Sequence, residues 1–522
     1  MSPSFANSYI EPGVYVKISD VVVPSVPAGV MIPCIVGIGS KIATITEKFT
    51  MQTLNEKRLL ANTPVILIVS AYDYIKGYVP TTDYTLGSGA DANKIVWTPG
   101  GSQPSVGSEY YVTYQYEKVA EDYNHKIFSK LQDIIDFYGP ANPPVIVKEG
   151  LAQAPFTATT LKLEGTHTIN AYVGYHVKII DGTGEGQIRV ILSNTADTLT
   201  IGTAWGTTLD ATSRYQVMSA PDSSISIGAA IVYENFAGAG YVAVCQAKDD
   251  TIASFKDAID RVQEKTLWAL IVMKPVIGTD ELIAYIKNHV LNQSSTIVRF
   301  ERIAIMGAPV GTTDEADFIT VATGLKTSRC AFLSPSDSER DFNGDIRILD
   351  GSYLSAAVGA IVTNPIYDAG EPISGKTVIG FSNIKDNFLR HEKNLMAGNG
   401  VMVIEQQGGA FVIRHALTTD PSTPITQELK VQKIKDYIII TLRDNLTRTF
   451  INTRNVGNAT ILQITTFVRM LLDVLIGMNI ITAYQNLEVK QNAVEPRQID
   501  VNFMVKPTWD INWIYIIFGA TI

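Results

Sequence analysis

Gly370-Glu-Pro-Ile-Ser-Gly-Lys-Thr377 matches the pattern of a phosphate-binding loop letter for letter. Such a loop wraps backbone N–H groups around phosphates between a preceding strand and a following helix. The context here is different. Residues 352–362 predict a helix before the motif, and Thr377-Val-Ile-Gly-Phe381 predicts a strand after it. Pro372 has no N–H to donate, and Glu371 puts negative charge where phosphate would sit. The expectation is a surface loop joining a helix to a strand. A P-loop ATPase of the packaging-motor kind stands as an alternative, and it requires ATP binding that depends on Lys376.

No other constellation predicts an active site. The six histidines (125, 167, 176, 289, 391 and 415) never fall at metal-ligand spacing, and His391-Glu392 lacks a second histidine four residues on. Cys34, Cys245 and Cys330 are too few and too far apart for a disulfide framework or a metal knuckle, so buried apolar thiols are expected. The glycines of Gly182-Thr-Gly-Glu-Gly186 and Gly238-Ala-Gly240 do not complete a dinucleotide fingerprint before a helix. No Gly-x-Ser-x-Gly elbow is present, and the carboxylates are too scattered to single out an acid/base pair. The reading is a non-enzyme with no cofactor and no metal.

What remains to be explained is architecture. A chain of 522 residues is expected to form several domains, roughly three or four. The net charge of −9 argues against a general nucleic-acid binder, which would carry a basic face. The N-terminus has neither a basic region nor an apolar run, so the expectation is a cytosolic protein, or one delivered from a cytosol without a signal. The most apolar helix candidate, residues 467–484, is interrupted by Arg469 and Asp473 and predicts a core helix rather than a membrane span.

Residues 30–38 predict a buried strand closing on glycine, and 64–118 predict β structure. Within it, Tyr110, Val112, Tyr114 and Tyr116 share one face, while Tyr111, Thr113, Gln115 and Glu117 share the other. The aromatic face could stack sugars or bases; tyrosine's fit to a half-buried strand favours packing under opposite strands. A helix is expected over 123–137. Beyond the boundary at Gly139-Pro-Ala-Asn-Pro-Pro144, residues 157–218 predict a β module with a hairpin around Asp181–Gly186. From 241 onward, apolar runs alternate with helical periodicity: strands at 241–245, 267–273, 302–306 and 330–333, and helices at 252–262, 279–291, 314–325 and 352–362. That alternation predicts an α/β layer with a parallel or mixed sheet. Two helices are expected over 425–460 and 459–485. The first is locally basic, with Lys430, Lys433, Lys435, Arg443, Arg448 and Arg454 against Glu428, Asp436 and Asp444. It reads as a solvated face or a docking surface.

Both ends of the chain read as extended strands. Tyr9-Ile-Glu-Pro-Gly-Val-Tyr-Val16 opens it; Gln498-Ile-Asp-Val-Asn-Phe-Met-Val505 and Trp513-Ile-Tyr-Ile-Ile-Phe518 close it. A strand at a terminus needs a partner sheet, which another copy can supply. The Pro-Gly-Val-Tyr opening paired with these closing strands resembles the tail sheath proteins of contractile bacteriophages. Three further segments extend the resemblance over about 220–522. They are the small-residue helix Gly351-Ser-Tyr-Leu-Ser-Ala-Ala-Val-Gly-Ala-Ile-Val362, the loop at 370–377, and Val412-Ile-Arg-His-Ala-Leu-Thr-Thr419, which is similar to the family's Arg-x-x-Thr-Thr.

The resemblance implies a multidomain α/β plus β protein. Its parts would be an N-terminal arm (1–21), a strand entering the sheath domain (22–40), a β-rich outer domain with a helix (41–143), an inserted β module (144–218), an α/β sheath core with a mixed sheet (219–424), a helical basic inner domain (425–497) and C-terminal strands (498–522). It implies a helical homo-oligomer that surrounds a tail tube, meets baseplate and tail terminator proteins, and contracts to drive the tube through a host envelope. It implies a virion component made in the host cytoplasm, with no direct nucleic-acid contact and no membrane insertion. The inter-subunit arm residues would be Tyr9, Ile10, Pro12, Gly13, Val14, Tyr15, Val16, Ile499, Val501, Phe503, Val505, Trp513, Tyr515 and Ile517. The candidate tube-facing residues are Lys430, Lys433, Lys435, Arg443 and Arg448. A non-contractile self-assembling tube or surface-layer protein is the other alternative.

Overall fold

The computed structural model describes residues 31–220, 223–236, 240–365 and 367–511. Contacts divide the described residues into two units: those within 31–35, 231–243 and 263–511, and those within 36–230 and 244–262.

The first unit is built on parallel strands. Ala269–Val272, Ile303–Gly307, Cys330–Ser334 and Val401–Gln407 lie side by side in sequence order, and Ala410–Ile413 closes the row antiparallel. The first three strands and the first half of the fourth are fully buried, as expected for a parallel sheet covered on both faces. Helices fill the connections: Glu281–Gln293, Glu315–Leu325, Gly351–Thr363 and Arg390–Gly398. Asp280, Asp314 and Asp350 cap the first three by accepting a backbone N–H two residues on. Gly351–Thr363 is buried along its whole length, which explains its Gly, Ser and Ala content. A Cβ on Gly307 would stand 2.1 Å from the carbonyl carbon of Gly351, so backbone meets backbone where this helix begins. Thr418 and Thr419 are fully buried and tie backbone segments together; Thr419 N–H donates to the Cys330 carbonyl and its hydroxyl to that of Thr327.

The second unit is β-rich. Ile42–Thr50, Glu109–Glu117, Val65–Tyr72 and Gly77–Tyr78 form one sheet, and Lys57–Leu59, Lys94–Trp97 and Tyr84–Leu86 another. Tyr110, Val112, Tyr114 and Tyr116 point into the core that also holds Tyr78, Tyr84 and Trp97. The alternation read from the sequence is therefore real, and its aromatic face is core. The expected helix over 123–137 is shorter: Lys126–Phe128 is a strand and the helix is Leu131–Tyr138. Val145–Leu151, Arg214–Ala220, His176–Asp181, Ile188–Asn194, Thr198–Ile201 and Thr160–Lys162 form a six-stranded sheet with its own core around Trp205 and Tyr215. Two neighbouring carboxylates help hold this module to the rest of the unit: Asp249 accepts from Lys41 Nζ at 2.7 Å, from the Ile188 N–H at 2.8 Å and from the Arg189 guanidinium at 3.1 Å, and Asp250 pairs with Lys178 at 2.9 Å. Cys34, Cys245 and Cys330 are buried, and none is in a disulfide.

Candidate functional site

The C-terminal part of the first unit is built from two long helices and a ribbon. Leu429–Thr449 and Asn458–Gly477 pack around Ile434, Ile438, Leu442, Val468, Leu472 and Leu475. The expected second helix does not run to 485. It ends at Gly477, Asn479 takes the left-handed conformation (φ 55), and Ile481–Gln491 is a strand. Asn tolerates that conformation, and the β-branched Ile480-Ile481-Thr482 then favours an extended chain. Ile499–Pro507 pairs antiparallel with Ile481–Gln491, with register shifts between Ile481 and Ala483 and between Gln485 and Glu488.

Ile499, Val501 and Phe503 pack onto the helical core, and Val505 belongs to it. These four arm residues thus lie in a strand paired within their own chain. Among the described residues the ribbon has only two strands, so each outer edge shows a row of unpaired backbone groups. Tyr9, Ile10, Pro12, Gly13, Val14, Tyr15, Val16, Trp513, Tyr515 and Ile517 lie outside the described residues.

The basic face expected on the first helix is largely internal. Lys430 is buried and pairs with Asp510 at 2.8 Å. Lys433 is buried with its Nζ 3.5 Å from the Asp368 carbonyl, and desolvation lowers its pKa to about 8. Lys435 is buried, and Arg443 bonds the Arg299 carbonyl at 2.5 Å and pairs with Glu301. Only Arg448 of the five is exposed. Asp436 anchors the same helix. It accepts from Trp268 Nε1 and from both Arg329 nitrogens at 2.9 Å, and from Gln432 Nε2 at 3.0 Å.

The core-helix expectation for 467–484 holds for one face only. Ile464, Val468, Leu471, Leu472 and Leu475 are buried, whereas Leu462, Met470, Val474 and Ile476 are exposed. Hydrophobicity all around the helix predicts a buried element, so the sequence carried no signal for this exposed face. Asn458–Gly477 is also the one helix among the described residues long and apolar enough to cross a membrane by length and composition.

The phosphate-loop motif has a different use. Lys376 Nζ lies 3.8 Å from the centroid of the Tyr367 ring and 3.4 Å from Glu371. The N–H groups of Glu371, Gly375 and Lys376 bond the carbonyls of Asp368, Ile413 and Ile373. No helix follows: the next begins at Arg390. Thr377 makes only an isolated bridge to Val412, not the expected strand. Among the histidines, His176 and His289 are buried, and His415 Nε2 lies 2.7 Å from Glu428.

The fold is similar to that of a solved sheath subunit. It superposes on a chain of the contracted helical sheath of the anti-feeding prophage with a TM-score of 0.50 at 10% identity, covering 99% of both chains. By sequence, the chain is similar to phage tail sheath proteins. It is 28% identical over 304 residues to the tail sheath protein of Mycobacterium phage Bxz1, covering 56% of this chain and 51% of that one. It is 24% identical over 242 residues to a putative tail sheath protein of Enterococcus phage phiEF24C, covering 45% and 40%. The chain therefore spans about half the length of the curated relatives it matches or less. Residues 35–131 match a domain of unknown function, DUF4815.

Proposed function

We propose that this chain is the structural subunit of a contractile tail sheath. It polymerises helically around a tail tube and shortens by rigid-body rotation of subunits, driving the tube through a host envelope for genome delivery. The observation that carries this reading is the match to a sheath subunit along nearly the whole of both chains, joined to sequence similarity with phage tail sheath proteins.

The linkage we assign is strand addition. Among the described residues, the ribbon of Ile481–Gln491 and Ile499–Pro507 offers two open edges, each able to accept a further strand. The strand-like segments at 9–16 and 513–518 of neighbouring copies are the proposed donors. Donor and acceptor differ, so the contact is heterologous and builds an open helix. Arg448 and the exposed stripe of Leu462, Met470 and Val474 are the surface we assign to the tail tube. Baseplate and tail terminator proteins are the proposed partners at the ends. The proposed location is the virion, after synthesis in the host cytoplasm. No nucleotide is needed, because the free energy is stored at assembly.

Electron microscopy of concentrated protein tests the reading. Hollow helical tubes that occur in a longer and a shorter form are expected. A single static lattice would favour a non-contractile tube or surface-layer protein, and persistent monomers would sink the sheath reading.

A further inference from the structure

The face of the first sheet turned away from its core is not a plain solvated surface. Register places Tyr72, Tyr111 and Lys48 in one cross-strand row, and Ser70, Thr113 and Thr46 in the next. The Tyr72 and Tyr111 rings stack at 5.4 Å with 16° between their planes, and Tyr74 meets Tyr111 edge-on at 5.8 Å. Tyr74 is 78% exposed and Tyr72 39%. These rings are held in place. The Tyr74 and Tyr111 hydroxyls lie 2.7 Å apart, and Asp73 Oδ1 fixes the turn beneath Tyr74 by accepting from the N–H groups of Ile75 and Lys76. The polar groups beside them are also paired: Lys48 with Glu109 at 2.7 Å, and Thr46 with Thr113 at 2.8 Å.

We propose that this platform of Tyr72, Tyr74 and Tyr111 binds a neutral polysaccharide. Tyr72 and Tyr74, exposed and held against the half-buried Tyr111, suit the apolar C–H faces of pyranose rings, and fixed hydroxyls and a paired Lys–Glu beside them suit sugar hydroxyls. Charge selects among stacking ligands. A nucleic-acid platform needs a basic groove to follow the phosphates. Here the adjacent cation is matched by Glu109, in a chain of net charge −9. An anionic polymer is disfavoured for the same reason.

Native gels cast with soluble starch, dextran or galactomannan, each compared with a plain gel, test this on the full chain. Retardation by at least one polymer is expected. Tyr74→Ala and Tyr72→Ala should each weaken it roughly fivefold, the size of one aromatic contact, with unchanged circular dichroism. Tyr111→Phe, which keeps the ring but releases Tyr74, should weaken it less. No retardation by any of the three, or equal retardation of the variants, overturns the proposal. So does retardation confined to a further gel cast with anionic dextran sulfate and reversed by salt. Loss of self-assembly in Tyr74→Ala without loss of glycan binding would make the patch a protein contact instead, and would also overturn it.

Discussion

Asp436 has no exposed surface and four hydrogen bonds, two of them from one guanidinium. Such a carboxylate is worth little against an apolar replacement of the whole network, but its removal alone strands Arg329. Asp436→Ala should therefore cost about 3–5 kcal/mol, read as a lowered urea midpoint; an unchanged midpoint would show the network to be dispensable. His176 tests burial in the other unit. Its Nε2 accepts the Lys41 N–H at 3.1 Å, and burial, with Lys41 and Lys118 nearby, lowers its pKa to about 3. Its folded pKa lies below the unfolded value of about 6.5. The unfolded chain thus takes up a proton that the folded chain refuses as pH falls from about 6.5 to 3. Stability is unaffected by this group above about pH 7 and is lost below it, by up to ~1.4 kcal/mol per pH unit. His176→Gln, which can still accept from Lys41, should flatten the acid limb of stability against pH. Parallel curves for variant and parent would exclude this residue as the cause.

At the scale of elements, the close approach of the strand Ile303–Gly307 to the helix Gly351–Thr363 is a strict requirement. The atoms a Cβ would meet are backbone, which cannot turn aside. Gly307→Ala should therefore destabilise by about 1–3 kcal/mol or more and lower the thermal midpoint; a midpoint within error of the parent would mean the helix can shift outward. Elements whose pattern depends on local period were legible: the alternation at Tyr110–Tyr116 marks a core strand, and the runs at 267–273 and 302–306 mark buried ones. The end of the second long helix was not. Residues 467–484 are apolar apart from Arg469, Asp473 and a few small or polar residues, and of these Asn479 marks the change from helix to strand.

At the scale of the whole molecule, assembly separates the two ends of the chain. Deleting 1–18 should leave a folded monomer that no longer polymerises, checked by circular dichroism and electron microscopy. The C-terminal deletion must begin after 511. Removing 498–522 would take away Val505 from the core and the strand paired with Ile481–Gln491, exposing apolar surface of the monomer itself. Protein lacking 512–522 should fold and fail to form tubes; tubes formed by both truncated proteins would sink strand donation.

The sequence alone determined the α/β alternation, the β character of 64–118 and 157–218, the strand at 499–505 and the failure of residues 370–377 as a phosphate loop. Each of these rests on residue types within a short window, where period, proline and charge act locally. Only the tertiary structure decided where charge and apolar surface finally sit. Lys430 looked solvated because its partner, Asp510, is 80 positions away. The outer face of Asn458–Gly477 looked buried because nothing local distinguishes an apolar side chain that finds a neighbour from one left exposed. Tyr110 and Tyr111 are adjacent tyrosines with opposite fates, core and surface, because the strand's pleat sends them to opposite faces and only the packing of the second sheet decides which face is covered.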